Sequence, residues 1–278
     1  MDSKLIIMKN ALTHSVNKNK NIIFILCSLL IANYLKHNFQ KPKIMITKQE
    51  SSLNFDNDFL IFFSLGQKRL ISSLLWVKTL MDSDLEHHKQ KDLNSWMFLR
   101  FKTISLLDPM FYENYLFGGQ YLSVVKDDLK GAAIIYGKGI KNFPDDFWLL
   151  FYSGIHYLAE MKDIKSAKKY LNKIKFHPIA TKRVPYLPSL VAKLDAKEGA
   201  LGNAFHILTI AYRNAPKNSK LSQKYYDSLY ALKTEIDLAC LNQEGKKCEK
   251  LDLDKNQYLY INGKWIAQKK WLPFRYNK

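Results

Sequence analysis

The sequence predicts an all-α protein, in which a solenoid of about four helical hairpins ends in a capping helix and is followed by a small C-terminal β-hairpin. The first observation is an internal repeat, because residues 108–122 resemble residues 144–158 at a constant spacing of 36. The second is that apolar residues recur at intervals of three and four, which is typical of amphipathic helices. The third is that each later repeat unit closes at or near a proline. A fixed period of this size indicates a repeat array.

The repeat is carried by aromatic residues and glycines. Gly118 matches Gly154 and Tyr121 matches Tyr157, each pair separated by 36 residues. In a chain of 278 residues with 47% hydrophobic and 13% aromatic residues, this pattern belongs to an ordered protein with a substantial core.

The net charge of +18 raises the possibility of an anionic partner. The arginines, which are favoured for forked recognition of phosphates and bases, are few. They are Arg69, Arg100, Arg183, Arg213 and Arg275. Because the remaining basic residues are lysines spread along the whole chain, we expect a solvated basic surface and no nucleic acid partner. A basic scaffold that contacts nucleic acid or anionic lipid is the alternative.

The N-terminal region has the charge pattern of an export signal. Residues 1–20 hold four lysines against the single acid Asp2, and residues 22–35 are almost wholly apolar. No good small-x-small cleavage site follows, so we predict that residues 1–35 are an uncleaved signal-anchor. A cleaved signal peptide and a buried helix of a cytoplasmic protein are the alternatives. Residues 36–58 are polar and predict a linker.

Residues 59–241 are predicted to form the helical domain. Leu70, Leu74 and Trp76 mark the first helix of the first hairpin, and Trp96 and Phe101 mark its second helix at residues 93–107. The helices predicted for the next units span residues 111–125 and 129–142, 147–160 and 164–175, and 190–197 and 203–213. Residues 221–241 predict a long last helix that caps the stack.

The residues at fixed places in these units resemble the tetratricopeptide repeat in a divergent form, over residues 67–216. The first full unit places Gly118, Tyr121, Ala132, Tyr136, Gly139 and Pro144 at the small, aromatic and closing positions of that family. The second full unit places Gly154, Tyr157, Ala167, Leu171, Ile174 and Pro178 there. The unit after these two matches the family less well, at Gly199, Ala204, Leu208, Ala211 and Pro216. The unit before them matches only at Phe101 and Pro109. The spacing of 36 departs from the 34 residues usual for the family.

The resemblance implies a binding surface on the concave face formed by the first helix of each unit. The residues that map to this face are Tyr112, Tyr115, Gly119, Leu122, Trp148, Phe151, Ile155 and Leu158. Aromatic side chains on such a face can hold an extended peptide or a partner helix. The alternative is that these side chains are buried against neighbouring helices.

No set of residues indicates catalysis. His156 and Glu160 lie four residues apart, but nothing supplies the third ligand that a metal site needs. Gly118 and Gly119 lie inside a predicted helix, where they cannot form a phosphate-binding loop. We therefore expect no metal, no cofactor and no enzymatic activity, and an enzyme with unrecognised chemistry is the alternative.

Residues 242–278 are predicted to form a tail that contains a β-hairpin. Two short apolar segments flank Asn262-Gly263, the dipeptide that supplies the positive φ angles of a tight hairpin turn. Cys240 and Cys248 close a small disulfide loop if the domain is exported, and otherwise remain two unpaired thiols.

The predicted function is that of a non-catalytic scaffold for protein-protein interaction, because repeat arrays bind through extended surfaces. The layout also resembles bacterial membrane-anchored proteins of the tetratricopeptide type. This resemblance implies that the chain is held at the inner membrane by its apolar segment, with the repeat domain in the periplasm and a protein or peptide as partner.

Overall fold

A computed structural model describes residues 25, 27–31, 33, 34, 57–82, 95–243 and 247–275. The chain divides into two compact units, Met1–Thr47 and Lys48–Lys278. The described residues of the first unit are helical. The predicted signal-anchor and linker lie largely outside the described residues. Among the residues that are described, no helix is both long enough and apolar enough to cross a membrane.

The second unit is an array of helical hairpins, which confirms the predicted fold class. Its helices are α1 (Asn57–Phe63), α2 (Lys68–Met81), α3 (Trp96–Leu107), α4 (Tyr112–Gln120), α5 (Leu129–Asn142), α6 (Phe147–Ile155), α7 (Ile164–Ile174), α8 (Pro178–Arg183), α9 (Leu187–Lys197), α10 (Leu201–Asn214) and α11 (Lys220–Leu241). Consecutive helices pack as pairs, namely α2 with α3, α4 with α5, α6 with α7, and α9 with α10. The last helix, α11, covers α10.

Helices α4 and α6 each continue directly into a π-helical segment of five residues. These segments are π1 (Tyr121–Val125) and π2 (His156–Glu160). Their backbone bonds span five residues, from Lys126 N to Tyr121 O at 3.1 Å and from Met161 N to His156 O at 3.2 Å. A π-helical turn holds one residue more than an α-helical turn would, so each unit carries an insertion at the same place.

The two full units repeat at 35 residues rather than at the predicted 36. Helix α4 begins at Tyr112 and α6 at Phe147, and α5 begins at Leu129 and α7 at Ile164. Gly119, rather than Gly118, is therefore the equivalent of Gly154.

Side-chain caps at the helix starts agree with the same period. Asp128 accepts a hydrogen bond from Gly131 N at the start of α5, and Asp163 accepts one from Ser166 N at the start of α7. The residue before each cap has a positive φ, 55° at Asp127 and 57° at Lys162. The turn between the helices of a hairpin is thus built twice in the same way.

The core of the array runs through all of its hairpins. Its fully buried side chains include Phe101 and Ile104 of α3, Ile135 of α5 and Leu171 of α7. Trp148 and Tyr152 of α6 contact both the core between α3 and α6 and the core between α6 and α11. Hydrophobic burial therefore connects each hairpin to the next.

The tail packs on α11 and contains the predicted β-hairpin. Strands β1 (Leu259–Ile261) and β2 (Lys264–Ile266) pair antiparallel across Asn262 and Gly263, whose φ angles are 51° and 80°. Tyr258 donates a hydrogen bond to Asp237 of α11 at 2.9 Å. A disulfide joins Cys240 to Cys248. The tail is thereby held to the last helix by polar, covalent and apolar contacts.

Candidate partner-binding groove

A cavity of about 430 Å³ lies between the helices α4–π1 and α6–π2 of the two full units. It is lined by Phe117, Gln120, Tyr121, Ser123, Val124, Val125, Tyr136, Tyr152, Ile155, His156 and Glu160. We call this surface the inter-repeat groove. Four pairs of its residues occupy equivalent places 35 residues apart, namely Phe117 with Tyr152, Gln120 with Ile155, Tyr121 with His156, and Val125 with Glu160.

The wall of the groove exposes large apolar side chains. Val124 is 76% exposed, Phe117 49% and Val125 41%. Ile155 and Tyr152 line the groove beside them and are partly buried. Contiguous exposed apolar surface of this kind marks sites of interaction, because each of these side chains gains free energy when a partner removes it from water.

The floor of the groove is a buried polar pair that joins the two π segments. The Ser123 hydroxyl lies 2.7 Å from His156 Nδ1, and His156 Nε2 lies 3.0 Å from the Leu129 carbonyl oxygen. A carbonyl oxygen can only accept, so we assign the imidazole proton to Nε2 and the role of acceptor to Nδ1. Ser123 is then the donor to His156, and both polar groups have partners.

The floor is also electrically neutral at physiological pH. Burial lowers the pKa of His156 and outweighs the opposite effects of its bond to the Leu129 carbonyl and of the charge of Glu160. The imidazole is therefore uncharged, and because both of its nitrogens are bonded within the protein it forms a neutral structural floor beneath the apolar wall.

A hydroxyl donating to a histidine is also the pairing that activates a serine nucleophile. Here Nε2 is bonded to a main-chain carbonyl, and among the described residues no carboxylate is hydrogen-bonded to the ring, so the geometry matches a structural link between the repeats. His156 and Glu160, the pair four residues apart for which no third metal ligand was found in the sequence, both line the groove. Among the described residues, no group of three His, Cys, Asp or Glu side chains could hold a metal ion.

The residues predicted for the binding face divide between the groove and the core. Ile155 lines the groove, whereas Trp148 and Leu158 are partly buried and pack against the hydrophobic core. Phe151 is only 8% exposed. In the second full unit, one of the four predicted positions therefore lines the groove and the other three belong to the core or pack against it.

In the first full unit the predicted positions lie in the core instead. Tyr115 and Leu122 are 1% and 0% exposed, and Gly119 is buried against the ring of Tyr136. Tyr112 is half-buried and donates a hydrogen bond to Asp146 at 3.0 Å. The cause is the spacing of 36, because a slip of one residue rotates a position by about 100° around a helix.

The groove residues that the sequence analysis missed are the neighbours of the predicted ones. Phe117, Gln120, Tyr121 and Val125 of the first unit become the equivalents of groove residues in the second unit once the spacing is 35. The sequence does contain a signal for the spacing of 35, because the aspartates that cap the second helix of each full unit, Asp128 and Asp163, are 35 residues apart. In comparisons with known proteins, no family model, no curated protein and no solved structure matches the chain.

Proposed function

We propose that this chain is a non-catalytic scaffold that binds a protein or peptide partner in the inter-repeat groove. The observation that carries the proposal is that equivalent positions of two successive repeats line one cavity of about 430 Å³. A peptide side chain that enters the cavity is desolvated by Phe117, Val124 and Ile155. Gln120 and Glu160 supply hydrogen-bonding groups on the same surface.

We also propose that the repeats are of the tetratricopeptide type. Small residues face the second helix of each hairpin, where Gly119 contacts Tyr136 and Gly154 contacts Leu171. The repeat length of 35 exceeds the usual 34 by one, which is the residue that a π-helical turn adds. The departure from the family's length thus has a physical explanation.

We further propose that the scaffold is tethered at the bacterial inner membrane and faces the periplasm. Two features support this location. Residues 22–35 have the length and flanking lysines of an export signal. The Cys240–Cys248 disulfide belongs to an oxidising compartment, since cytosolic thiols are kept reduced.

Site-specific photo-crosslinking in bacterial cells tests the groove. A photoreactive amino acid at Val124, which is 76% exposed in the groove, is compared with the same group at Met110, which is 57% exposed outside it. We expect a discrete crosslinked product from Val124 that is lost when Phe117→Ser removes part of the wall. Met110 is expected to give no such product. An identical product from both positions, or none from Val124, would contradict the proposal.

A further inference from the structure

A second cavity, of about 640 Å³, lies between α9, α11 and the end of the tail. Four lysines line it, Lys193 of α9, Lys224 of α11, and Lys269 and Lys270 of the tail. Asp227 is the one carboxylate among its described lining residues. The volume lies in the range of small-molecule sites. We call this surface the basic cleft.

The positive charges of the basic cleft are poorly matched by acids. Within the described part of the chain, no ion pair joins Lys193, Lys224 or Lys270 to a carboxylate. Lys269 lies 3.6 Å from Asp254. The carboxylate of Asp227 accepts a hydrogen bond from Gln223 at 2.8 Å. Positive charge is thus in excess over negative charge around the cavity.

Two partly buried lysines elsewhere in the domain pair with carboxylates, whereas a third, Lys138, donates to the Ser105 hydroxyl at 3.0 Å. Lys168 contacts Asp195 at 2.5 Å and Glu198 at 2.6 Å. Lys233 contacts Asp237 at 2.9 Å and Glu249 at 2.6 Å. Unlike these two, the partly buried Lys193 has cations as its charged neighbours.

The electrostatic consequence is seen at Lys193. Burial lowers the pKa of its ammonium group, and the charges of Lys224 and Lys197 lower it further. Each of these effects disfavours the protonated amine, and an anion bound among the lysines would oppose both. The site is therefore electrostatically complementary to a ligand of negative charge.

The remaining walls of the basic cleft are aromatic and apolar. Lys193 Nζ lies 5.8 Å from the centroid of the Phe274 ring, and Lys269 Nζ lies 4.7 Å from that of Tyr230. Trp271 is partly buried and Leu272 is 78% exposed. A ligand in the cleft thus meets both cations and a surface for ring stacking or apolar packing.

The cleft is held in shape by the attachment of the tail to α11. Glu235 accepts a hydrogen bond from Phe274 N at 3.2 Å and pairs with Arg275. These contacts fix the chain on the C-terminal side of Trp271 and Leu272. The lysines and the apolar wall are thereby brought together before any ligand binds, which limits the entropy lost on binding.

We propose that the basic cleft binds a small organic phosphate, with its phosphate group among Lys193, Lys224 and Lys270 and its ring or apolar body against Trp271 and Leu272. A phosphate monoester carries a charge of about −1.5 to −2 at neutral pH, which suits several unpaired cations better than a single carboxylate does. Lysines bind phosphate as point charges. This site is separate from the inter-repeat groove and does not depend on the function proposed for it.

Isothermal titration calorimetry with the full chain in detergent micelles tests the proposal. The probes are phenyl phosphate, inorganic phosphate and phenol. We expect phenyl phosphate to bind about tenfold or more tightly than inorganic phosphate, and phenol to give no heat of binding. Trp271→Ala should weaken the binding of phenyl phosphate and leave that of inorganic phosphate unchanged.

Charge variants provide the matched control. Lys193→Met and Lys224→Met should each weaken the binding of phenyl phosphate by about tenfold or more, the effect of losing one charge-assisted hydrogen bond. Lys173→Met removes the same charge from an exposed position of α7 and should leave the affinity within about twofold. Without ligand, Lys193→Met should not lower the thermal midpoint, because methionine keeps the apolar stem and removes the repulsion. If the thermal midpoint of Lys193→Met is unchanged, its loss of binding cannot be attributed to unfolding.

Three results would overturn the proposal. One is the absence of any heat with phenyl phosphate. Another is equal weakening by Lys173→Met and Lys193→Met, which would show attraction to net charge alone. The third is binding of a short oligonucleotide or of anionic phospholipid vesicles through Lys193 and Lys224 without binding of phenyl phosphate, which would assign the cleft to a polymer or a membrane surface.

Discussion

Single glycines decide how closely the helices of a hairpin approach each other. A Cβ atom added to Gly119 would lie 2.5 Å from Cε1 of Tyr136, a ring that is itself 1% exposed and cannot move aside. Gly137 lies on α5, where among the described residues no atom would come within 4 Å of an added Cβ. The same substitution should therefore have opposite effects at the two positions.

We predict that Gly119→Ala lowers the free energy of unfolding by about 1–3 kcal/mol through overpacking. Gly137→Ala should raise it by about 0.5–1 kcal/mol, because alanine loses less backbone entropy in a helix than glycine does. Urea denaturation followed by circular dichroism measures both. Stabilisation by Gly119→Ala would show that the helices of this hairpin are not in close contact.

The buried His156 makes stability depend on pH. Its pKa is lowered by burial, so the folded state keeps the imidazole neutral while the unfolded state takes up a proton below about pH 6.5. The neutral imidazole therefore makes its full contribution to stability above about pH 6.5. This contribution is lost as the pH falls below that value, until the folded-state imidazole is protonated as well. Each pH unit in which only the unfolded state is protonated lowers the free energy of unfolding by up to about 1.4 kcal/mol.

We predict that the wild type loses stability between pH 7 and pH 5 and that His156→Gln loses less. Glutamine can accept the Ser123 hydrogen bond and donate to the Leu129 carbonyl, but it does not titrate. Urea denaturation of both proteins at several pH values isolates the histidine contribution as the difference between the two curves. Parallel curves would mean that His156 is protonated equally in the folded and unfolded states.

At the scale of elements, the π segments explain what the sequence could and could not predict. The hairpin array, the first helices of both full units and the β-hairpin at Asn262 followed from periodicity and turn chemistry. The repeat spacing of 35 residues did not follow from them, because Gly118 and Gly119 are adjacent and either one can be matched with Gly154. Aromatic identity favoured Gly118, whereas contact with the second helix of the hairpin selects Gly119, and that contact is not visible in a sequence.

Helix ends and the candidate site also depend on contacts that a sequence pattern does not show. A helix was predicted over residues 190–197, yet α9 begins at Leu187, because Pro188 fits the first turn of a helix, where its missing N–H is not needed. The binding face was predicted on the first helix of each unit, and the slip of one residue placed Tyr115, Gly119 and Leu122 of the first unit in the core. Periodicity predicts which helix carries a face, while packing decides which of its residues face outward.

A deletion tests whether π1 is an insertion within helix α4. Removing Val124, which is 76% exposed, should convert the π-helical turn into an α-helical one and leave the preceding core residues in place. We predict cooperative unfolding with reduced stability. Removing Phe117, which lies one turn before π1 in the regular part of α4, should rotate all following residues of that helix by about 100° and abolish cooperative unfolding. Thermal denaturation of both deletions gives the comparison, and equal losses would contradict the insertion.

At the scale of the whole domain, the two ends of the array differ. At the first end, Leu70, Leu74, Val77 and Met81 form an exposed apolar stripe along α2, each at least 53% exposed. At the other end, α11 covers α10 and the disulfide-linked tail packs on α11, so that the end of the array is capped as in other repeat arrays. The sequence predicted the capping helix from its polar face, but the contribution of the tail depends on contacts between residues distant in the chain.

The proposed periplasmic location predicts the redox state of the three cysteines. Cys240 and Cys248 are joined in a disulfide, whereas Cys27 is an exposed thiol. Cells are quenched in acid and the denatured chain is alkylated before and after reduction. If the domain is periplasmic, Cys27 alone is alkylated before reduction and all three cysteines are alkylated after it, because periplasmic disulfides persist.

The variant Cys240→Ser is the control, since it frees Cys248 and should give two alkylated cysteines before reduction. Closing so short a loop stabilises the attached tail by about 2–3 kcal/mol, so the variant should also show faster amide exchange in the β-hairpin with little change on α3 to α7. Alkylation of all three cysteines in the wild type before reduction would place the domain in a reducing compartment. That result would remove the periplasmic location and leave the inter-repeat groove to be tested by its own crosslinks.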